Sequence, residues 1–219
     1  MGNTALKSDL PTIGIGNTAG YVVVMANPAW TEIRNTIEDT HKNTSFDHYM
    51  NFAGEFYDQY PSIIGSTSRT ITASLTFLGD LFPNNLPNLS ISSGRNKWVS
   101  AHKLNMTGNW DLFPFHSPRD GISLISKRPE WLQQWLTESL KCLLRFNPKA
   151  VVIASKLGVG LACDLLGQTN FTYTQVEGIR LGFMKHRTTS VITISRQIFT
   201  QAQHPGYFIL AKHIRELMT

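Results

Sequence analysis

The sequence predicts an α/β fold, a three-layer α/β/α sandwich with a mostly parallel four-stranded central sheet. Runs rich in apolar and β-branched residues, at 21–26, Ala150–Ala154 and 190–195, are typical of strands buried on both faces. Segments with apolar residues at helical spacing separate these runs. Strands that alternate with helices in this way form parallel sheets covered by helices.

The first strand is predicted to end at Asn27-Pro28, because proline cannot donate to a strand ladder and disfavours helical backbone in the residue before it. Helical spacing predicts two helices in the connection that follows, over 47–60 and 70–82. A loop at 83–99 completes this connection. The second strand is expected in the first part of 101–117, with a loop facing the site at 111–118.

The second half of the chain continues the alternation. Apolar spacing that includes Trp131 and Trp135 predicts a helix over 130–146. The strand Ala150–Ala154 leads into a short helix that ends near Gly167. The remaining predicted elements are an antiparallel pair at 171–175 and 179–185 that turns near Glu177-Gly178, the strand at 190–195, and a last helix over 207–217.

Composition indicates one globular domain with a basic balance. The 219 residues suit a single domain, which we assign to 21–219 after an irregular lead-in at 1–20. A net charge of +5, with cations gathered in the second half, permits a polyanionic partner such as nucleic acid. No apolar stretch approaches the roughly 18 residues of a membrane span, so no membrane partner is predicted. Residues 1–9 lack the pattern of a signal peptide.

The two cysteines, Cys142 and Cys163, lie within apolar helical patterns. Such positions predict buried thiols rather than a disulfide, and hence a reducing, cytoplasmic setting. Two cysteines are too few for a cysteine-ligated zinc or iron–sulfur site, and His116, His186 and His213 do not share metal-ligand spacing. We therefore predict no metal.

Polar groups follow the end of each predicted parallel strand. If the strands are parallel, these groups meet at one edge, where parallel sheets bind their ligands. In chain order the groups are Asn27-Pro28 after the first strand, Asp111, Pro114 and His116 after the second, Ser155-Lys156-Leu157-Gly158 after the third, and Arg196 with His204-Pro205-Gly206 after the last.

The order of these motifs resembles that of the uracil-DNA glycosylase superfamily. The matching stretches are Asn27-Pro28, Trp110-Asp111-Leu112-Phe113-Pro114, the strand from Pro148-Lys149 to Ala154 with Gly158, and His204-Pro205-Gly206-Tyr207. The resemblance spans about residues 21 to 217 and rests on the order and spacing of short motifs. It implies a uracil-DNA glycosylase-like fold and hydrolysis of the N-glycosidic bond of a flipped-out base, such as uracil in DNA, without a cofactor.

The resemblance also implies roles for individual residues. Asn27 matches the group that positions the attacking water, and His204 matches the histidine that donates a hydrogen bond to the base oxygen. A flipped base needs an aromatic face and hydrogen bonds to its Watson–Crick edge. The residues expected to bind substrate are Ala26, Pro28, Trp30, Phe52, Asn109, Asp111 and Phe113. The residues expected to contact DNA are Lys156, Arg196, Pro205, Gly206 and Tyr207. A monomer is expected.

The first motif departs from the family pattern, since Met-Ala-Asn-Pro-Ala-Trp lacks the leading glycine and puts Trp30 where substrate would need space. Asp111 stands where the family often has asparagine, and an ionised carboxylate offers only acceptors. Two alternatives therefore stay open. One is a catalytically silent nucleic-acid-binding protein on the same fold. The other is an α/β enzyme that acts on a free nucleoside, a nucleotide or another small molecule.

Overall fold

A computed structural model of the protein describes residues 14–25, 73–86, 89, 106–112, 129–196, 198–199 and 206–219. These ranges contain seven strands, four α-helices and one short 3-10 helix, Gln168–Asn170. The strands are β1 Gly14–Gly16, β2 Tyr21–Met25, β3 Thr107–Asp111, β4 Ala150–Ala154, β5 Thr172–Val176, β6 Ile179–His186 and β7 Thr189–Ile194. The helices are α1 over 73–81, α2 Glu130–Arg145, α3 Lys156–Leu166 and α4 Gly206–Met218.

All seven strands form one sheet in the order β1-β3-β2-β4-β7-β6-β5. The four central strands β3, β2, β4 and β7 are parallel, and they are the four strands predicted from the sequence. The predicted strand number is nevertheless wrong, because the described part of the sheet has seven strands. The hairpin β5–β6 continues the same sheet through antiparallel pairing of β6 with β7, and Gly14–Gly16, from the expected irregular lead-in, pairs antiparallel with β3.

Helices cover both faces of the sheet, which is the predicted three-layer arrangement. Val23, Val152 and Ile192 point to the face that packs against α1 and α4. Their chain neighbours Val22, Val151 and Val191 point to the face that packs against α2 and α3. Because side chains alternate along a strand, burial on both faces requires an unbroken apolar run rather than an alternating one.

The chain connections change direction along the sheet beside β2. The connection from β2 to β3 runs in one direction along the sheet and contains α1, whereas the connections from β3 to β4 and from β4 to β7 run in the other direction and contain α2 and α3. Connections of the same hand that run in opposite directions must cross opposite faces, as these do. The point between β2 and β4, where the direction changes, is the topological switch point of the sheet.

Helices α1 and α4 lie antiparallel to the central strands. The ring of Phe82, just after α1, lies 4.6 Å from that of Tyr21 at the start of β2. Arg215, near the end of α4, donates a hydrogen bond to the carbonyl of Asp80, while Tyr207, at its start, packs against Phe77. Helix α4 therefore begins towards the carboxyl ends of the parallel strands and ends towards their amino ends.

Helix α2 buries fewer large residues than predicted. Its buried side chains are Leu132, Leu136, Leu140, Leu143 and Leu144. Trp131 and Trp135, which we expected on the apolar side, are 56% and 47% exposed. The expectation of two buried thiols is also wrong, since Cys142 is exposed and Cys163 is half-buried, although both are free cysteines. At about 100° per residue, 131, 135 and 142 lie on a stripe beside the leucine face rather than on it.

Among the helices that the structure describes, none is long and apolar enough to cross a membrane.

Candidate functional site

The four parallel strands end at the same edge of the sheet, which we call the carboxyl edge. Met25 at the end of β2 is in register with Asp111 at the end of β3, and the N–H of Leu112 donates to the carbonyl of Met25 over 3.0 Å. Ala154 at the end of β4 is in register with Ile194 at the end of β7. The expected convergence of the strand ends is confirmed for these described residues.

Helix α3 begins directly at the carboxyl edge, one residue beyond β4. Ser155 has extended backbone, and its Oγ accepts a hydrogen bond from the N–H of Gly158 over 3.0 Å. Its carbonyl accepts the first helical bond, from Val159 N–H over 2.9 Å. These two bonds make Ser155 the N-cap of α3, which satisfies one of the N–H groups that a helix start leaves without a partner. The switch point is thus bordered by the start of a capped helix.

Gly158 allows α3 to approach the sheet closely. A Cβ atom at this position would lie 2.5 Å from Cγ2 of Ile153, 3.0 Å from Oγ of Ser155 and 3.7 Å from Cδ1 of Leu112. Carbon atoms in ordinary contact are about 3.5–4.0 Å apart, so a larger residue would push the first turn of α3 away from the ends of β3 and β4. The glycine therefore sets the position of the backbone that borders the switch point.

Asn109 and Asp111 lie on β3 and point to the face covered by α1 and α4, because their register partners Val23 and Met25 belong to that face. Both side chains are half-buried. Asp111 lies at the edge itself, next to the strand that leads to Asn27. Asn109 lies two residues before Asp111 on the same strand, paired with Val23 on one side and Ile15 on the other. Of the two residues expected to hydrogen-bond the base, Asp111 is therefore closer to the carboxyl edge.

Three exposed cations lie at the described part of the carboxyl edge: Lys156, Arg180 and Arg196. Sequence reasoning did not identify Arg180, because its place depends on the antiparallel return of β6. The N–H of Arg180 donates to Oγ of Ser195 over 2.9 Å, and its carbonyl accepts from the N–H of Ser195 over 3.0 Å. These bonds hold Arg180 beside the end of β7. The turn predicted at 177–178 is the feature of the sequence from which this position could have been inferred.

Other basic residues of the second half lie at the opposite edge. Lys185 and His186 at the end of β6 and Arg187 in the following turn are separated from Arg180 by the length of the strand. Lys185 donates to Oγ of Ser190 over 3.1 Å, at the start of β7. The cations that gather in the sequence are therefore divided between the two edges, because a hairpin reverses the chain between them.

Acidic groups share the carboxyl edge with the cations. Asp111 is half-buried there, and exposed Glu177 lies in the β5–β6 turn. The described part of this edge is therefore of mixed charge, not a continuous basic surface.

A tyrosine beside Arg180 has a perturbed pKa. Burial, with a hydrogen-bonding contact to the thiol of Cys163 at 3.5 Å, raises the pKa of Tyr173 to about 12. Its hydroxyl lies 3.3 Å from the carbonyl of Gln168, and the guanidinium of Arg180 lies 3.7 Å from the centre of its ring. The phenol is therefore neutral at physiological pH, and its ring supports the cation of Arg180.

Gly206 and Tyr207 begin α4, and the structure corrects the expected role of the tyrosine. Tyr207 is 1% exposed, and its hydroxyl donates to the carbonyl of Ile198 over 2.8 Å. Its ring packs against Phe77 and Phe199. Tyr207 is therefore a core residue that anchors α4, and this burial is incompatible with the DNA contact expected of it. Gly206 is half-buried.

The remaining predicted site residues lie outside the described residues. They are Ala26, Asn27, Pro28, Trp30, Phe52, Phe113, His204 and Pro205. The helix expected over 47–60 also lies outside them. Met25 is the described residue closest to Asn27 along the chain, and it lies on the face that packs against α1 and α4. Gly206 is the described residue closest to His204, and it begins α4.

Within the described ranges, no group of three or more histidine, cysteine, aspartate or glutamate side chains is placed to hold a metal ion.

A comparison of the chain with models of known protein families finds no match, and a comparison with curated proteins also finds none.

Proposed function

We propose that the protein is a DNA glycosylase of the uracil-DNA glycosylase kind, which hydrolyses the N-glycosidic bond of a flipped-out base. One observation carries the proposal: the four strands that precede or contain the matching motifs are parallel and end at one edge. The strand that leads to Asn27 lies at the switch point of the sheet, between β3 and β4. Ligands of open α/β sheets bind at this point.

The two proposed catalytic residues are close in sequence to described residues of one face. Asn27 follows Met25 by two residues, and His204 precedes Gly206 by two. Met25 is in register with Asp111 on the face that packs against α1 and α4, and Gly206 begins α4. This proximity along the chain supports the proposal.

Cleavage of an N-glycosidic bond passes through an oxocarbenium-like sugar and a base that departs with negative charge. In the proposed mechanism the amide of Asn27 orients the attacking water. His204 donates a hydrogen bond to the departing base, which lowers the barrier because the charge on the base grows in the transition state. Asn109 or Asp111 contacts the Watson–Crick edge of the base, and Phe52 or Trp30 stacks on its face.

Lys156 and Arg196 contact phosphates in this proposal, and Arg180 joins them as a third cation at the same edge. Each phosphate neutralised by a cation releases counterions and steepens the dependence of DNA affinity on salt. Arg187, at the opposite edge, supplies a matched control.

A second candidate is an enzyme that acts on a free nucleoside or nucleotide. The mixed charge of the carboxyl edge, where Asp111 and Glu177 accompany the cations, favours this candidate. A small ligand needs a few placed polar groups rather than a continuous basic groove.

The proposal is tested on single- and double-stranded oligonucleotides that carry uracil, hypoxanthine or xanthine, with alkali added after the reaction to cleave the strand at each abasic site. We expect release of at least one of these bases, and a loss of about tenfold or more in Asn27→Ala and in His204→Ala. Arg196→Ala should reduce the salt dependence of DNA binding by about one phosphate contact, whereas Arg187→Ala should not. Oligonucleotides that stay intact would refute base excision, and release of a base from free nucleosides alone would favour the second candidate.

A further inference from the structure

The three exposed cations of the carboxyl edge lie at the ends of adjacent strands. Lys156 follows β4, Arg196 follows β7, and Arg180 is the second residue of β6, the next strand along. Neighbouring strands are about 4.8 Å apart, so these positions form a row that leads away from the switch point. Asp111 lies on the other side of the switch point, and Glu177 lies beyond the row, in the β5–β6 turn. The charges of this edge are therefore separated along it.

The guanidinium of Arg180 lies flat on the ring of Tyr173 in β5. Its central carbon is 3.7 Å from the centre of the ring. Carbon atoms in ordinary contact are about 3.5–4.0 Å apart, so the guanidinium carbon itself rests on the ring, and a tilted group would push a nitrogen below contact distance. A flat guanidinium directs its N–H donors sideways, away from the ring, in the fork that binds a phosphate through two hydrogen bonds.

The ring of Tyr173 is held in this place from both sides. It lies opposite Gly182, and a Cβ atom at 182 would lie 2.8 Å from its Cε1, so the missing side chain gives the ring its place on β6. Its hydroxyl contacts the thiol of Cys163 at 3.5 Å and the carbonyl of Gln168 at 3.3 Å. Because the backbone of Arg180 is also fixed by its two hydrogen bonds to β7, the cation has a defined position.

No described carboxylate neutralises Arg180. The ion pairs among the described residues join Glu138 to Lys141 and His213 to Glu216. The side chain of Arg180 is exposed. An exposed guanidinium that is held rigidly and has no carboxylate partner in the described part of the chain presents its donors to an anion from solution.

The distance from Asp111 to Arg180 decides which phosphate can bind at the end of the row. Strands β3 and β6 are four strand spacings apart, which is about 19 Å at about 4.8 Å for each spacing. Phosphates of a stacked DNA strand follow one another at about 3.4 Å, so about 19 Å corresponds to about five or six nucleotides. A free nucleotide carries its phosphate next to its own base and cannot reach both residues.

We infer that a DNA strand runs along the carboxyl edge from β3 to β6, with its target base at Asp111 and phosphates of other nucleotides on the row of cations. Arg180 is the phosphate-binding residue at the far end of this path, and Tyr173 is its positioning residue. The path rests on the proposed function for the place of the base. It adds the course of the strand and makes the β5–β6 hairpin part of the DNA-binding surface.

The first test compares a single strand of about 12 nucleotides, with uracil at its centre, with a trinucleotide that carries uracil in the middle. All proteins carry Asn27→Ala, so that the base is retained while fluorescence anisotropy measures binding, directly for the longer strand and by competition for the trinucleotide. Arg180→Gln should weaken binding of the longer strand about fivefold or more at low salt, and reduce the slope of log K against log salt by about 0.7, the value for one phosphate contact of a single strand. The affinity for the trinucleotide should not change, because the trinucleotide does not reach β6.

Arg187→Gln is the matched control, since it removes an exposed arginine from the turn at the other end of β6. It should change neither the affinity nor the slope. Equal losses in the two variants, equal losses for the two ligands, or a protein that binds neither ligand would refute the path. Release of uracil is measured separately on the protein that retains Asn27, so failure of the path and failure of the glycosylase proposal are distinguished.

The second test is a double-mutant cycle between Tyr173 and Arg180 on the longer strand. Tyr173→Leu removes the ring under the guanidinium and should weaken binding about two- to fivefold, as the loss of an exposed cation–π contact would. Tyr173→Phe keeps the ring and should bind as the protein with Tyr173 does. In the Arg180→Gln background, Tyr173→Leu should have no further effect. An equal effect in both backgrounds would show that Tyr173 acts through the fold of the hairpin, and the positioning role would be wrong.

Discussion

Gly158 sets how closely α3 approaches the ends of β3 and β4, and Gly158→Ala tests that contact. The new Cβ would lie 2.5 Å from Cγ2 of Ile153. To reach an ordinary contact distance, the two atoms must move apart by about 1 Å. Ile153 is fully buried and part of the cluster with Leu112, so it has little space in which to move. Such overpacking costs about 1–3 kcal/mol.

Gly160 in the same helix is the matched control, because a Cβ there would meet no atom within 4 Å. Alanine favours helix over glycine by up to about 1 kcal/mol at both positions. We therefore expect Gly160→Ala to raise the free energy of unfolding slightly, and Gly158→Ala to be less stable than Gly160→Ala by about 1–3 kcal/mol. Urea denaturation followed by far-UV circular dichroism measures this difference. Equal stabilities of the two variants would show that α3 does not rest on Ile153 in this way.

Two further predictions concern tyrosines. Tyr207→Phe leaves the buried carbonyl of Ile198 without its 2.8 Å donor, so it should lower the free energy of unfolding by about 1–2 kcal/mol and leave DNA affinity unchanged. A variant that keeps its full stability but binds DNA more weakly would instead support the DNA contact predicted from the sequence. Because the pKa of Tyr173 is raised to about 12 in the folded protein from an ordinary value of 10, its contribution to stability is complete below pH 10 and is lost as pH rises towards 12. Denaturation at about pH 9 and about pH 11.5 should show a steeper alkaline loss in the unmodified protein than in Tyr173→Phe, and parallel losses would refute the assignment.

The sequence predicted the elements of the central sheet well because their signals are local. Val22–Val24 and Val151–Ile153 are unbroken β-branched runs, and only a strand covered on both faces requires such runs. The turn at Glu177-Gly178 was predicted from its residues, and both adopt positive φ, 49° and 76°, where glycine carries no steric cost and the chain can reverse tightly.

Errors arose where a residue's surroundings depend on distant parts of the chain. Trp131 and Trp135 have the hydrophobicity and the spacing of core residues, but the sheet lies under the neighbouring leucine stripe and leaves them exposed. Tyr207 follows the histidine-proline motif in sequence, yet Phe77 and Phe199 enclose it. Helical periodicity indicates that a face is apolar, and it contains no information on which of two adjacent apolar faces meets the sheet.

The sequence by itself determined the α/β class and the four buried strands of the central sheet, since each follows from hydrophobic period over a few neighbours. The strand order, the place of the switch point beside β2 and the meeting of Met25 with Asp111 were decided only by the tertiary structure. So was the position of Arg180 at the carboxyl edge while Lys185 and Arg187 lie at the other. These features depend on pairing between strands far apart in the chain, and pairing energy comes from contacts that no single segment contains.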